Sequence, residues 1–347
     1  MTYLEILKDN WKKHLSSKEE NSPTVISTFA GCGGSSLGYS IAGFKELLAI
    51  EWEENAAKTF KYNFPEVKFY HGDICKITIE EVFKLTNLRQ GELDVFDGSP
   101  PCQGFSTAGS REFSDNRNQL FKEFTRLLKG LMPKVFVMEN VTGMIKGKMK
   151  LIFVEILNEL KSCGYNVSAK VLNAKYYNVP QSRERLIFIG VRSDLSINSS
   201  HPISTGKIIF TIKDAIANLP SFQVEEIEHT WIDESPQGRN TKTYKLALKA
   251  KQGEKYSQQQ IRCDFNKPSP TITKGGIVGS LYLRNILCHP IYTRSFSHRE
   301  LARMQSFPDE FKFFDNKGFE RIGNSVPPLL MAAIAQHIKD NILSKIK

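Results

Sequence analysis

The sequence predicts an α/β fold: a doubly wound, mostly parallel sheet with a second, smaller domain inserted into it. Three observations lead there. Over the first two hundred residues, short apolar runs alternate with longer amphipathic stretches. After about Ser193 the alternation fades into polar, basic, glycine-containing sequence. Helical periodicity then returns at 297–304 and 327–342, so the chain closes back on its first part.

The runs at 24–30, 47–52, 67–74, 93–96, 135–139 and 186–191 are short and apolar, and they read as buried strands. The stretches at 37–44, 54–63, 118–132 and 149–163 carry apolar residues at helical spacing. An amphipathic helix at 3–15 precedes the first strand, and no function is assigned to it. The expected division is an N-terminal extension over 1–23, a main domain over 24–195 plus 316–347, and the smaller domain over 196–315.

With 347 residues, 40% hydrophobic and 24% charged, the chain has an ordinary globular composition, which excludes a disordered or collagen-like one. No apolar run approaches the ~18 residues that span a bilayer. Residues 1–24 are too charged for a signal peptide, so a cytoplasmic protein without membrane attachment is expected. Six cysteines (Cys32, Cys75, Cys102, Cys163, Cys263, Cys288) never come closer than 25 positions. That spacing rules out a local Cys-x-x-Cys site and argues against a disulfide framework, and no metal is expected.

The net charge of +10 is concentrated. Between Arg239 and Arg299 lie twelve basic and two acidic residues, so this segment alone carries the whole excess. Concentrated positive charge attracts a polyanion by counterion release, and nucleic acid is the commonest such partner. A solvated lysine face is the plain alternative. Interleaved Tyr244, Tyr256, Phe265, Tyr282, Tyr292 and Phe296 make the segment more than a polar helix face.

A parallel sheet binds ligands outside the carboxyl ends of its strands. Here those ends bear Glu51, Asp73, Asp97 and Glu139, while the first strand runs into Phe29-Ala30-Gly31-Cys32-Gly33-Gly34. Glycines let the backbone turn tightly and approach a ligand. Glu51 stands twenty residues past Gly31, the spacing at which a carboxylate accepts ribose hydroxyls. Asp73, one strand later and followed by Ile74, is placed for an adenine amino group. An adenosine-containing cofactor follows. The loop does not separate a nicotinamide dinucleotide from S-adenosylmethionine, although Ser36 in place of a third glycine leans away from the dinucleotide.

After the fourth strand comes Asp97-Gly98-Ser99-Pro100-Pro101-Cys102-Gln103-Gly104-Phe105-Ser106. Two prolines before a cysteine stiffen the approach and fix where the sulfur points. The other five cysteines read as inert and buried, whereas Cys102 reads as a nucleophile. Val135-Phe136-Val137-Met138-Glu139-Asn140-Val141 is an apolar strand ending in an acid, where a buried carboxyl can donate a proton. In Gln181-Ser182-Arg183-Glu184-Arg185 the two arginines share one side of an extended segment.

Taken together, Phe29–Gly34, Pro100–Gln103, Glu139–Val141, Gln181–Arg185 and Arg-Ile-Gly-Asn-Ser-Val-Pro at 321–327 resemble the DNA (cytosine-5)-methyltransferase family in order and spacing. Residues 297–308 resemble that family's penultimate motif. The resemblance covers about 24–193 and 295–342, and no motif is missing. It implies a Rossmann-like S-adenosylmethionine-dependent methyltransferase fold of the prokaryotic restriction-modification type. In the matching roles, Cys102 adds to cytosine C6, Glu139 protonates N3, Arg185 binds O2, and Arg183 supports the same loop and active-site surface. S-adenosyl-L-methionine becomes the implied cofactor, with Phe29, Ala30, Gly31, Gly33, Gly34, Glu51, Trp52, Asp73, Ile74, Pro101, Leu120, Asn324 and Ser325 at cofactor positions. Trp52 would stack on the adenine and Leu120 would cover its other face.

The target atom is inaccessible inside a duplex, so the nucleotide must be flipped out. By the resemblance, Gln103, Ser106 and Arg117 lie on the loop that closes over it, and Thr271 touches the DNA backbone. The basic segment falls where relatives carry their target-recognition domain, with Lys249, Lys251 and Lys255 as unspecific phosphate contacts. Double-stranded DNA is thus the expected partner, for a monomer to which this type would allow a cognate endonuclease acting on the same site. Three rivals remain. A tRNA cytosine-5 methyltransferase of the family usually carries Cys-Phe-Thr, which is absent here. An NAD-dependent oxidoreductase would leave Pro101-Cys102-Gln103 unexplained. A non-catalytic DNA-binding module is opposed by intact Cys102, Glu139 and Arg185.

Overall fold

The computed structural model describes residues 1–101, 119–147, 149–204, 208–219, 242–257, 260–273, 287–292, 294–314 and 318–346. The chain divides into two compact units. The sheet unit comprises Lys13–Leu172, Glu184–Ile203 and Met331–Lys347, and the second comprises Met1–Lys12, Asn173–Arg183 and Ser204–Leu330.

Seven strands make the sheet. They are β1 (Thr24–Thr28), β2 (Lys45–Glu51), β3 (Lys68–His71), β4 (Val95–Gly98), β5 (Val135–Val141), β6 (Tyr165–Asn173) and, after a short β7 (Gln181–Ser182) outside it, β8 (Glu184–Arg192). Their order is β3-β2-β1-β4-β5-β8-β6. The pairings from β3 through β5 are parallel, and β8 runs antiparallel to β5. The chain therefore leaves β1 toward β2 and β3 on one side and resumes with β4 and β5 on the other. This reversal opens a crevice at the carboxyl ends of β1 and β4, the place where such sheets bind ligands.

Before and between the strands lie α1 (Tyr3–Leu15), α2 (Gly34–Ile41), α3 (Glu54–Asn63), α4 (Ile79–Thr86), α5 (Gln119–Leu131) and α6 (Met149–Ser162). Caps set their starts. The Glu53 side chain accepts the Ala56 N–H before α3, and Thr78 accepts the Glu81 N–H before α4. Strands covered on both faces are largely apolar, and all four residues of β4 are buried, Asp97 included. Aromatic rings join the layers: Phe96 lies 4.9 Å from Phe124, and Phe136 lies 6.2 Å from Phe124 and 5.1 Å from Tyr165. Each such buried side chain contributes roughly 1.5–3 kcal/mol.

The second unit contains α7 (Ile212–Ile216), α8 (Lys242–Lys249), β9 (Ile261–Arg262), β10 (Ser269–Pro270), β11 (Leu287–Cys288), α9 (His298–Met304) and α10 (Gly318–Asn324); α11 (Pro328–Asn341) follows and ends in the sheet unit. Parallel two-residue ladders join β7 to β10 and β9 to β11. Its core is ionic as well as apolar. Arg294 donates two hydrogen bonds of 2.8 Å to the buried Glu300 carboxylate. Burial alone would raise that carboxyl, but Arg294 and His289 hold it down at about 2.

The sequence-based expectation lacks α4, β6 and α10, and within the second unit it also lacks α7, α8 and the two-residue strands β7, β9, β10 and β11. α4 is only eight residues long, β6 mixes exposed and buried positions irregularly, and α10 contains two glycines. The expected strand at 67–74 stops at His71, because the Asp73 side chain and carbonyl accept the N–H groups of Cys75 and Lys76 and turn the chain. Among the described residues no helix is long and apolar enough to cross a membrane.

Glu46 enters the sheet at the start of β2 and accepts a 3.0 Å hydrogen bond from Ser36 Oγ of α2. Burial pushes its carboxyl up from 4.5 to about 7. The folded protein therefore keeps a proton that the unfolded chain releases, and stability falls as pH rises through that window. Glu46→Gln should gain on the wild type as pH rises from 4.5 to 7 and hold a constant advantage above, on the order of 3 kcal/mol. Urea-unfolding midpoints across pH would show this, and a pH-independent difference would contradict it.

Candidate active site

Directly after β1 the backbone enters the left-handed region at Phe29 (φ 54°), Gly31 (φ 55°) and Gly33 (φ 98°). Gly33 then caps α2. The turn is held from β2: Ala30 N–H donates to the Ile50 carbonyl (3.1 Å), and Gly31 N–H donates to Glu51 Oε2 (2.8 Å). The other oxygen of Glu51 accepts the N–H groups of Trp52 and Glu53, both at 2.9 Å. A carboxylate offers about four acceptor directions, so one remains for a ligand.

The two glycines differ in what they exclude. A Cβ at Gly33 would enter the ring of Phe64, so packing forbids it. A Cβ at Gly31 would meet nothing within 4 Å. Its lack of a side chain keeps open space beside the loop, as a close-lying ligand requires. Trp52, next to Glu51, is 74% exposed, unusual for a large aromatic side chain and suited to stacking on a flat ring. Asp73 is exposed at the end of β3, and the Cys75 N–H holds its carboxyl below the ordinary range, so it stays ionised. Phe29 is half-buried, Ala30, Gly34 and Ile74 are buried, and Leu120 packs half-buried on the core from the first turn of α5. These residues fit an adenosine-containing group.

On the far side of the crevice β4 ends in Asp97 and Gly98 and runs on to Pro101, which is exposed. Burial pushes the Asp97 carboxyl well above the usual carboxylate range, and Tyr39 of α2 donates to it at 3.2 Å. At the end of β5, Asn140 Nδ2 donates to the Pro100 carbonyl (3.2 Å), two residues before Cys102. Sequence reasoning left Asn140 without a role, although it stands inside the Glu-Asn-Val triplet. Glu139 and Arg185 are brought together: Arg185 Nε lies 2.8 Å from Glu139 Oε1, with both side chains 13% exposed. Antiparallel pairing of β5 with β8 puts them there, since Val141 faces Arg185 and Glu139 faces Ile187.

Arg183 is not part of that pair. It is 1% exposed, and its guanidinium donates to the carbonyls of Ile272 (2.7 Å) and Gly323 (2.8 Å) in the second unit. It acts there as a positioning group. Nearby, Gln181 Nε2 donates to Gln305 Oε1, its own oxygen accepts the Ile272 N–H, and Gln305 Nε2 donates to the Ser325 carbonyl. Three of the sequence motifs are thereby knitted together, with Asn324 exposed at the end of α10.

Cys102, Gln103, Ser106 and Arg117 lie outside the described residues. Lys249, Lys251 and Lys255 are exposed at and just beyond the end of α8, whereas Thr271 donates its hydroxyl to the Ser182 carbonyl at 3.0 Å. Part of the segment's positive charge is internal or paired. Arg262 is buried against the carbonyls of Ala247 and His289, and Arg294 and Arg299 pair with Glu300 and Asp309. Among the described residues of the segment, Lys245, Lys249, Lys251, Lys255 and Lys267 are exposed, as is Arg299.

A family model described as C-5 cytosine-specific DNA methylase matches residues 23–340. The chain is 36% identical over 334 residues to the Type II methyltransferase M1.HphI of Haemophilus parahaemolyticus, covering 91% of this chain and 86% of that protein. It is 34% identical over 350 residues to the Type II methyltransferase M.NgoPII of Neisseria gonorrhoeae, covering 93% and 99%. Among solved structures, one described as a prophage-encoded DNA modification methyltransferase of E. coli is similar, with a TM-score of 0.74 and 27% identity over 92% of this chain and 99% of that one. The S. pombe Dnmt2 methyltransferase shares the fold, with a TM-score of 0.66 and 17% identity over 92% and 99%.

The two glycines should separate in experiment. Gly33→Ala should lower the unfolding midpoint markedly. Gly31→Ala should bear only the left-handed penalty of roughly 1–2 kcal/mol and instead lose affinity for an adenosine-bearing ligand. Thermal unfolding paired with ligand titration reads both, and equal effects of the two substitutions would count against the assignment.

Proposed function

This chain belongs to the C-5 cytosine-specific DNA methylases, and from that membership we propose that it transfers a methyl group from S-adenosylmethionine to C5 of a flipped-out cytosine in a specific duplex sequence. The observation that carries the reading is the Glu139–Arg185 pair at the end of β5, beside an Asn140 that holds the Pro100 carbonyl on the approach to Cys102.

Cytosine C5 is a poor nucleophile. Addition of the Cys102 thiolate to C6 moves electron density into the ring and makes C5 reactive, splitting one hard step into two easier ones. Glu139 delivers a proton to N3, which makes the addition favourable. Arg185 binds O2 and stabilises charge there, while its Nε keeps the Glu139 carboxyl in place. S-adenosylmethionine, when bound, supplies the electrophilic methyl. With the demethylated thioether released, loss of the C5 proton to water expels Cys102 as thiolate, and N3 returns its proton to Glu139, which restores the neutral aromatic ring. Glu51, Trp52 and Asp73, with the loop from Phe29 to Gly34, hold the cofactor; Pro101 and Leu120 complete its site. Gln103, Ser106 and Arg117 close over the extruded nucleotide, and Thr271 steadies the adjoining backbone.

Residues 196–315 serve as the target-recognition domain, and the exposed lysines of the second unit contact phosphates. The likeness to Type II methyltransferases supports an enzyme of the restriction-modification type; we take it as a cytoplasmic monomer with which an endonuclease for the same site would be paired.

Purified protein should move a labelled methyl group from S-adenosylmethionine to duplex DNA, and Cys102→Ser should abolish the transfer. Oligonucleotides containing 5-fluorocytosine should trap a denaturation-resistant protein–DNA band. Methylation of tRNA with none of DNA would overturn the substrate, and NAD reduction without methyl transfer would overturn the class. Neutralising Lys249, Lys251 and Lys255 together should reduce the salt slope of DNA binding by up to about 3 while leaving cofactor affinity alone. An unchanged slope would return those lysines to a merely solvated face.

A further inference from the structure

The last turn of α1 lies outside the residues that the family model matches, yet it reaches the back of the cofactor loop. His14 is 6% exposed. Its Nε2 is 3.2 Å from the Asn63 carbonyl, which can only accept, so Nε2 carries the proton. Nδ1 is then bare and accepts from Ser40 Oγ of α2 at 2.9 Å. Burial lowers the His14 pKa and keeps this neutral tautomer. The ring also meets Phe64 edge-on, with centroids 5.1 Å apart. Phe64 is the ring that fills the space a side chain at Gly33 would need. One imidazole thus touches the helix that follows the glycine loop, the end of α3, and the aromatic ring on which the loop rests.

We infer that His14 is a positioning residue for the cofactor loop, fixing Phe64 and Ser40 so that Gly31 and Gly33 keep the conformation in which S-adenosylmethionine binds. The inference rests on the proposed use of that cofactor. His14 touches neither the reacting atoms nor the Glu139–Arg185 pair, so its effect falls on cofactor affinity and not on the chemical step.

The test uses the full chain with S-adenosylmethionine and its demethylated product as probes. Wild-type binding is measured first; if neither probe binds, the functional reading fails and not this one. His14→Ala should raise the Kd and KM for S-adenosylmethionine roughly ten-fold. Its kcat at saturating cofactor and its DNA affinity should stay within about two-fold of wild type. His14→Gln, which keeps a donor and an acceptor, should recover most of the loss. Ser40→Ala removes the Nδ1 partner without opening a large cavity and should move KM in the same direction, which keeps the test decisive if His14→Ala does not fold. Unchanged KM in Ser40→Ala and in any folded His14 variant would overturn the inference. So would a parallel fall of kcat, DNA affinity and cofactor affinity, the signature of a smaller folded fraction.

Discussion

The site depends on one carboxylate gathering backbone N–H groups. Glu51 collects those of Gly31, Trp52 and Glu53, and so ties the end of β2 to a left-handed turn that has little stability of its own. Of the three positive-φ residues within five positions, Phe29 is the one with a Cβ and bears a left-handed penalty of roughly 1–2 kcal/mol. Charge-assisted hydrogen bonds, each worth about 1.5–3 kcal/mol, offset that cost. The loop is thereby rigid before any ligand arrives, and the ordering need not come out of binding energy.

The crevice exists because the chain reverses direction across the sheet at β1. β1 and β4 are parallel neighbours, Thr28 opposite Gly98, so whatever follows each strand emerges at the same edge. On one side emerges the glycine turn; on the other, the approach to Cys102. β5 adds Glu139 and Asn140 to that edge, and the antiparallel β8 returns Arg185 to it. A parallel β8 would have carried Arg185 to the opposite end of the sheet. The single change of strand direction is therefore what pairs an acid from one segment with a guanidinium from another.

Neighbouring arginines two residues apart serve different ends. Arg183 is absorbed by carbonyls of the second unit, while Arg185 faces Glu139 in the sheet unit. The boundary between units falls between these two residues, so one short segment supplies hydrogen bonds within the second unit and an ion pair within the sheet unit. The basic segment divides in a similar way: its arginines at 262 and 294 are interior, and its lysines at 249, 251 and 255 are exposed.

Much of this was legible without coordinates. β1, β2, β5, α3 and α6 follow from apolar periodicity, since burying one face or two leaves a repeating mark on the chain. The row Glu51, Asp73, Asp97, Glu139 announced the carboxyl edge of the sheet because acids rarely end apolar runs by accident. α4 and β6 escaped because a short helix and an irregularly buried strand leave no clean period. Tertiary structure alone decided the pairing of Glu139 with Arg185, the grip of Asn140 on Pro100, and the burial of Arg183, Arg262 and Arg294. Apart from Arg294 and Glu300, six positions apart, these contacts join residues that are distant along the chain. Local pattern records which face a residue turns inward, but not which distant partner waits there.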